Sequence, residues 1–173
     1  MKTITHLSRL ASVAAAGAVL LLLAGCGPSS NPPDSGKTAS AASAPATGRP
    51  VEITGSDSMK FSLTEIRAKP GETLSITLKN VGTMPKFSMG HNFVVLAPGL
   101  DPATFVNDAA QAVKTDYVPA KYKSHILAST KLLGPGESDT VTFKTPVRSG
   151  RYPFVCSFPG HFQVGMKGEL IVE

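Results

Sequence analysis

The segment from Cys156 to Met166 constrains the fold of this chain more than any other. It reads Cys-Ser-Phe-Pro-Gly-His-Phe-Gln-Val-Gly-Met, so a thiol, an imidazole and a thioether lie close together in sequence. The apolar segments 151–156 and 168–172 on either side are typical of strands, which places all three groups in one loop. A second imidazole, His91, begins an earlier apolar run. Two imidazoles, a thiolate and a distant thioether are the ligand set that suits copper cycling between Cu(I) and Cu(II).

Each of these residues also has an ordinary structural interpretation. Met166 alone would fit core packing, and Cys156 alone would fit a small buried apolar side chain. His161 alone would fit a turn, and His91 alone would fit the end of a strand. Their combination in one β-rich chain favours a metal site instead. His125 has no such neighbours in the sequence and is interpreted as a surface histidine.

The pattern from Pro50 onwards predicts an all-β fold. Short segments alternate apolar and polar residues and are separated by Gly/Pro turns, as in a sandwich of two sheets. Asp101-Pro102 has the form of an N-cap followed by proline, and predicts one short helix in a long connection. The helical spacing of apolar residues fades by Thr115. The expected strands are 51–53, 60–63, 65–67, 73–79, 91–96, 139–144, 151–156 and 168–172.

The first third of the chain is expected to lie outside this domain. Residues 1–25 have the charged start, apolar run and small residues of an export signal, and they end in Leu23-Ala24-Gly25 before Cys26. This junction is typical of bacterial lipoproteins, in which the cysteine is lipidated; a plain secretory signal or an N-terminal membrane anchor is the alternative. Residues 26–49 are expected to be the lipidated cysteine and a disordered Ser/Ala/Pro/Gly tether, and residues 50–173 are expected to form the folded domain. The protein is therefore expected to be exported and anchored to a bacterial membrane, facing the periplasm or the cell exterior.

Charge and cysteine content narrow the functional classes. Removing the signal takes away Lys2 and Arg9 and no acidic residue, so the formal net charge falls from +5 to +3. The basic residues are scattered without interleaved aromatic residues, and no nucleic-acid partner is expected. Once Cys26 carries lipid, Cys156 is the one cysteine of the predicted domain. A bound metal would protect this thiol, which would otherwise be oxidised outside the cytoplasm.

Three stretches resemble azurin and its lipid-anchored relatives, including the auracyanins. They are Met89-Gly90-His91-Asn92-Phe93, Thr130-Lys131-Leu132-Leu133-Gly134, and Cys156-Ser157-Phe158-Pro159-Gly160-His161 with Met166-Lys167-Gly168 after it. The resemblance covers about Val51 to Glu173 and implies a cupredoxin Greek-key β-sandwich, a blue copper domain.

The resemblance also implies roles for individual residues. His91, Cys156, His161 and Met166 would be the copper ligands. The Gly90 carbonyl would approach the copper opposite Met166. Asn92 would brace the ligand loop, with Phe158 beside it.

Two features depart from azurin itself. Four residues separate His161 from Met166, one more than in azurin and the same as in the auracyanins, so the axial distance and the participation of Gly90 stay open. The cysteine pair that forms the N-terminal disulfide of azurin has no counterpart.

The same resemblance predicts a docking surface for electron exchange. In the family, the ring edge of the second histidine emerges inside an apolar patch, and exposed apolar patches usually mark interaction sites. Here the patch would consist of Met84, Pro85, Met89, Phe158, Pro159, Gly160 and His161.

The expected function is one-electron transfer by a mononuclear type 1 copper site, without enzymatic activity. The partners would be periplasmic or membrane redox proteins, such as a small cytochrome or a membrane oxidoreductase. Val155 and Ser157 stand where a multicopper oxidase has histidines, and a binuclear copper centre would need a second cysteine in the loop. A structural zinc site, copper storage or delivery, and a hydrolase using Cys156 as nucleophile are the alternatives that stay open.

Overall fold

The structure is a computed structural model that describes residues 48–173. The predicted signal peptide, the lipidation site Cys26 and all but the end of the predicted tether lie outside these residues. Within them, eight strands form a three-stranded and a five-stranded sheet, which confirms the predicted all-β sandwich. No helix among residues 48–173 is both long enough and apolar enough to span a bilayer.

The strands pair in a mixed pattern. The small sheet has the order β1 (Arg49–Gly55), β3 (Thr73–Asn80), β6 (Ser138–Lys144). The large sheet has the order β2 (Glu65–Ala68), β8 (Lys167–Val172), β7 (Gly150–Val155), β4 (Val94–Leu96), β5 (Ile126–Ser129). β1 pairs in parallel with β3, and β2 pairs in parallel with β8, whereas all other neighbouring strands are antiparallel.

The core lies between the two sheets. Leu74, Ile76 and Leu78 are fully buried on one face of β3, because successive side chains of a strand point to opposite faces. Across from them, the rings of Phe93 and Phe154 lie with their centroids 4.9 Å apart. This apolar layer also includes Cys156 and Met166, so the core and the candidate metal ligands form one packed unit.

The helix predicted after Asp101 is confirmed. The first helix, α1, spans Lys86–Met89, and the predicted one, α2, spans Pro102–Ala109. The Asp101 carboxylate accepts a hydrogen bond of 2.8 Å from Thr104 N–H, as an N-cap does. Two short 3-10 helices, Val113–Thr115 and Ala120–His125, and α1 were not predicted, because such short turns show no apolar periodicity.

Three strand predictions need correction. The predicted strand 60–63 is wrong, because Phe61 makes only a single bridge to Gly55. The predicted strand 91–96 is paired regularly only over β4, and His91 stands apart in a single bridge to Leu133. β5 was not predicted, and β1 begins at Arg49, one residue before the predicted domain.

The strand register gives the sandwich two distinct ends. We call the end that carries Gly55, Val155 and Lys167 the ligand end, because it adjoins Cys156 and Met166. We call the other end, where β1 starts at Arg49 and β8 finishes at Val172, the tether end.

Candidate metal centre

Three of the predicted ligands converge at the ligand end. The Nδ1 atoms of His91 and His161 lie 3.2 Å apart, and Sγ of Cys156 lies 3.5 Å from Nδ1 of His161. Donor atoms from all three residues lie within 4.8 Å of one another. His91 and Cys156 are fully buried, and only 2% of the surface of His161 is exposed. Among the described residues, this is the one cluster of three or more His, Cys, Asp or Glu donors with this spacing.

Backbone hydrogen bonds fix the segments that carry these side chains. His91 and Leu133 exchange two of them, with N···O distances of 3.0 and 2.7 Å, so His91 is held just before β4. Cys156 directly follows β7, and its N–H donates to the Met166 carbonyl at 3.0 Å. The Met166 N–H in turn donates to the His161 carbonyl at 2.9 Å. The loop is thus closed on itself, and its shape does not depend on a bound ion alone.

Asn92 ties the ligand loop to the segment that carries His91, just before β4. Its Oδ1 accepts from Ser157 N–H at 2.8 Å, and its Nδ2 donates to Ser157 Oγ at 2.7 Å. Nδ2 also donates to the Asp116 carbonyl at 2.9 Å. These bonds link the ligand loop to the segment that carries His91, and the implied role of Asn92 beside a bound copper stays a prediction. The roles of Ser157 and Asp116 were missed: nothing in the sequence around Asp116, which adopts a left-handed backbone with φ 53°, marks it as a neighbour of this loop.

Phe158 lies directly against a ligand. Its ring centroid is 4.7 Å from that of His161 and 5.1 Å from that of Tyr117. The His91 ring, 4.9 Å away, covers another side of His161. These contacts explain why His161 is almost completely covered, and the expectation that its ring edge emerges at the surface needs correction.

Met166 and two glycines complete the surroundings. Met166 is fully buried, and a Cβ on Gly55 would lie 2.8 Å from its Cε and 3.2 Å from Cδ2 of His91. The thioether thus lies beside the His91 ring, and the space for both depends on glycine in β1. A Cβ on Gly90 would lie 2.7 Å from the carbonyl oxygen of Lys86, so glycine is needed where α1 ends. Coordination by Met166 sulfur or the Gly90 carbonyl stays a prediction.

Burial sets the protonation of the metal-free site. It raises the pKa of the Cys156 thiol to about 12, and hydrogen bonds from the backbone of Asn92 and Phe158 oppose this only weakly. Burial, with a smaller contribution from His91, lowers the pKa of His161 to about 4. The pKa of His91 is also lowered by burial, against smaller opposing effects of the Ser56 backbone and the Asp57 carboxylate. At neutral pH the site therefore holds a thiol and two uncharged imidazoles.

The spacing of these donor atoms suits a metal ion bound between them. Ligand bonds of about 2.0–2.3 Å in a trigonal arrangement separate neighbouring donors by roughly 3.5–3.7 Å. The observed separations of 3.2 and 3.5 Å are close to these values. Loss of the Cys156 proton on binding would supply the thiolate that a soft metal prefers. A nucleophilic cysteine, by contrast, has a lowered pKa and access to substrate, and Cys156 has neither.

Comparison with known proteins agrees with this chemistry. The sequence pattern of copper-binding proteins of the plastocyanin/azurin family matches residues 50–173. The chain belongs to this family. Its cofactor is copper, and the candidate ligands that the structure brings together are His91, Cys156 and His161.

Individual members of the family show how far the similarity extends. Azurin of Alcaligenes faecalis is 38% identical over 123 residues, which cover 69% of this chain and 94% of that azurin. Outer membrane protein H.8 of Neisseria gonorrhoeae is 39% identical over 111 residues, 63% of this chain and 60% of that protein. The solved structure of dithionite-reduced auracyanin from Roseiflexus castenholzii superposes with a TM-score of 0.63 at 35% identity, covering 72% of this chain and 96% of auracyanin.

The predicted docking patch is partly exposed. Met84 is 43% exposed, Pro85, Pro159 and Gly160 are exposed, and Met89 is half-buried. Phe158 and His161 lie beneath the surface. Phe87, the most exposed apolar residue of α1 at 84%, was missed because a lone phenylalanine between polar residues gives no sequence signal. His125 is exposed, as predicted, and its Nδ1 lies 3.1 Å from Ser124 Oγ.

Proposed function

We propose that this protein is a one-electron carrier with a type 1 copper site, exchanging electrons with redox proteins outside the cytoplasm. Copper bound at this centre supplies a one-electron couple between Cu(I) and Cu(II). The observation that carries the proposal is the almost complete burial of a His/Cys/His donor set whose backbone is fixed by hydrogen bonds. Family membership supports the same function.

The rigidity of the centre suits electron transfer. His91 is fixed by its two hydrogen bonds with Leu133, and Cys156 by that with Met166. Asn92 links both segments through Ser157. Donor atoms held in this way cannot rearrange much when the charge of the bound ion changes, and a small rearrangement permits fast transfer. Their burial excludes water from the ligand atoms, whereas a catalytic metal keeps a position open for substrate.

Adding Cu(II) to the purified protein tests this function. We expect an intense blue colour that ascorbate removes and a mild oxidant restores, and we expect Cys156→Ser to abolish the colour. Reversible voltammetry with fast electron exchange separates a carrier from a storage or delivery protein, which would instead pass its copper readily to an acceptor. A protein that stays colourless with Cu(II) would refute the proposal.

Electron exchange is proposed to occur through the apolar surface at α1 and the loop after Cys156. Met84, Phe87 and Pro159 expose apolar area there, although a soluble domain normally covers such side chains. α1 leads through Gly90 directly to the ligand His91, and Pro159 lies between the ligands Cys156 and His161. A partner docked on this surface would approach the buried His161 ring from outside. A small cytochrome or a membrane oxidoreductase fits such an apolar contact.

Matched charge substitutions test this surface. Phe87→Glu and Met89→Glu are expected to slow electron transfer to a small cytochrome at least fivefold while leaving the visible spectrum unchanged. In solution without lipid vesicles, Val147→Glu is the control, since Val147 is also 84% exposed but lies at the tether end. Equal rates for Phe87→Glu and Val147→Glu would place the docking surface elsewhere.

We also propose that the protein is exported and held by lipid on Cys26. Support comes from the Leu23-Ala24-Gly25-Cys26 junction and from the similarity to a protein described as an outer membrane protein. Cells expressing the chain with labelled palmitate should yield a labelled membrane-bound protein, whereas Cys26→Ser should be unlabelled. An unlabelled wild-type chain would contradict lipidation.

A further inference from the structure

Two turns lie side by side at the tether end of the sandwich. One connects β2 to β3 through residues 69–72, and the other connects β6 to β7 through residues 145–149. Thr145 Oγ1 donates to the Lys69 carbonyl at 2.7 Å, Thr145 N–H donates to the Glu72 carbonyl at 2.8 Å, and Gly71 N–H donates to the Pro146 carbonyl at 3.3 Å. The Tyr152 hydroxyl fixes the second turn by donating to the Arg148 carbonyl at 2.6 Å. Together these turns form one ordered surface.

An apolar side chain projects from this surface without a protein partner to cover it. Val147 is 84% exposed, and its Cγ1 lies 3.9 Å from the position of a Cβ on Gly71 in the neighbouring turn. Pro70, at the tip of that turn, is exposed as well. Each of the two turns at the tether end therefore exposes an apolar side chain.

Unpaired positive charge surrounds these apolar tips. Three arginines of this end pair with carboxylates: Arg49 with Glu72, Arg67 with both Glu65 and Glu173, and Arg151 with Glu169. Lys69, Lys144 and Arg148 are exposed and make no ion pair with any of residues 48–173. The three paired arginines face four carboxylates, so together with Lys69, Lys144 and Arg148 this group of side chains keeps a net charge of +2, which can attract anions.

We propose that this surface, consisting of residues 69–72 and 144–148, rests on an anionic phospholipid bilayer. The inference depends on the proposed lipid anchor, because β1 starts at this same end, and only residues 27–48 separate it from Cys26. A link of that length keeps an anchored domain within reach of the headgroups. Lysine and arginine side chains are attracted to anionic headgroups, while a small apolar tip can enter the interface.

This contact would orient the copper centre. β1 runs from the tether end to the ligand end, and its seven residues span about 20 Å. With the tether end on the bilayer, the His91/Cys156/His161 cluster and the exposed Phe87 point away from the lipid, towards soluble partners. A lipid anchor without this contact would leave the domain free to turn in any direction.

Fluorophore labelling of the lipidated full-length protein in vesicles tests the contact. Val147→Cys places a label at the tether end, and Val81→Cys is the matched control, because Val81 is 50% exposed and its N–H donates to the Gly55 carbonyl at the ligand end. Cys156 is buried and Cys26 would be lipidated, so the new thiol alone reacts. In vesicles of phosphatidylcholine with about 30% phosphatidylglycerol as the anionic lipid, a lipid-borne quencher should reduce emission from position 147 at least threefold more than from position 81.

Charge dependence distinguishes docking from mere proximity. The difference between the two positions should disappear in pure phosphatidylcholine, in about 1 M salt, where charges are screened beyond roughly 3 Å, and in the variant K69E/K144E/R148E. Retention of the blue colour verifies that each variant is folded, and the salt series gives the same comparison without any charge substitution.

Two results would overturn the inference in distinguishable ways. Protein that floats with the vesicles but shows equal quenching at positions 147 and 81 refutes the docking surface and leaves the anchor standing. Protein that does not float with the vesicles refutes the anchor and the docking surface together. In either case the copper centre keeps its colour.

Discussion

Replacement of Asn92 by alanine should destabilise the protein markedly without touching a copper ligand. Asn92 is fully buried and makes three hydrogen bonds, two to Ser157 and one to the Asp116 carbonyl. Alanine removes all three at once. The segment that carries His91 and the loop that carries Cys156 would then lose their direct side-chain link.

The magnitude follows from what is left unpaired. Ser157 is fully buried, so its N–H loses its acceptor in a place that water does not reach, at a cost of about 1–3 kcal/mol. The two bonds donated by Asn92 Nδ2 contribute about 1 kcal/mol each, but water can replace Asn92 at the Asp116 carbonyl because Asp116 is exposed. The total loss of unfolding free energy should be about 2–4 kcal/mol.

A graded series measured by urea denaturation of the copper-free protein tests this reasoning. Ser157→Ala leaves one buried N–H of the Asn92 amide without its acceptor but keeps the Ser157 N–H bond to Oδ1, so it should cost about 1–2 kcal/mol, less than Asn92→Ala. Asn107→Ala is the control, because Asn107 is exposed on α2, and alanine favours a helix by up to roughly 0.7 kcal/mol. From the most to the least stable, the variants should be Asn107→Ala, Ser157→Ala and Asn92→Ala.

Two results would refute the argument. Equal losses for Asn92→Ala and Ser157→Ala would mean that the backbone bond to Ser157 N–H is not what stabilises the loop. A loss below about 1 kcal/mol for Asn92→Ala would mean that the buried N–H finds another partner. In copper-loaded protein, Asn92→Ala should also release copper faster to a chelator, since the loop is less firmly held.

Two further perturbations address the neighbours of the centre. Gly55→Ala places a Cβ 2.8 Å from Met166 Cε, so we expect a loss of about 1–3 kcal/mol in unfolding free energy and a shifted visible band; an unchanged spectrum would show that Met166 does not affect the copper. Hydrogen bonds from Thr83, chiefly from its N–H, hold the pKa of Asp57 below its ordinary value of 3.8. Because the folded-state pKa is the lower one, this carboxylate stabilises the protein above pH 3.8 and loses that effect as the pH falls through the folded value. Urea midpoints of the copper-free protein should therefore fall more between pH 6 and about pH 3 than those of Asp57→Asn; parallel curves would contradict the assignment.

The sequence predicted most accurately what depends on local pattern. The strict alternation of Thr73–Lys79 predicted β3 to within one residue, and the Asp101-Pro102 cap predicted the start of α2. Segment 60–63 shows why pattern alone is insufficient: its alternation is real, but it finds no neighbouring strand beyond the bridge at Phe61. β5 was missed for the opposite reason, because it is a short edge strand whose pairing with β4 decides its conformation.

In the candidate centre, too, local spacing could be predicted from the sequence, whereas contacts between distant segments could not. Cys156, His161 and Met166 share one loop, so their proximity could be predicted from spacing. Contacts made across the fold could not be, such as the approach of Gly55 to Met166 or the bond from Asn92 to the Asp116 carbonyl. They depend on how β1 and the segment after α2 pack at the ligand end.

The ligand set joins parts of the chain that are far apart in sequence. His91 precedes β4, whereas Cys156 and His161 follow β7, so a bound ion connects segments separated by 65 and 70 residues. In the copper-free protein, Asn92 bridges the same gap through Ser157, over 65 residues. Metal ligation and this side-chain bridge thus restrain the same pair of segments. Because an ion that binds only the folded state stabilises that state, copper should compensate for part of the stability lost in Asn92→Ala. The bridge keeps the donor atoms close before the metal arrives, and the metal then reinforces the bridge.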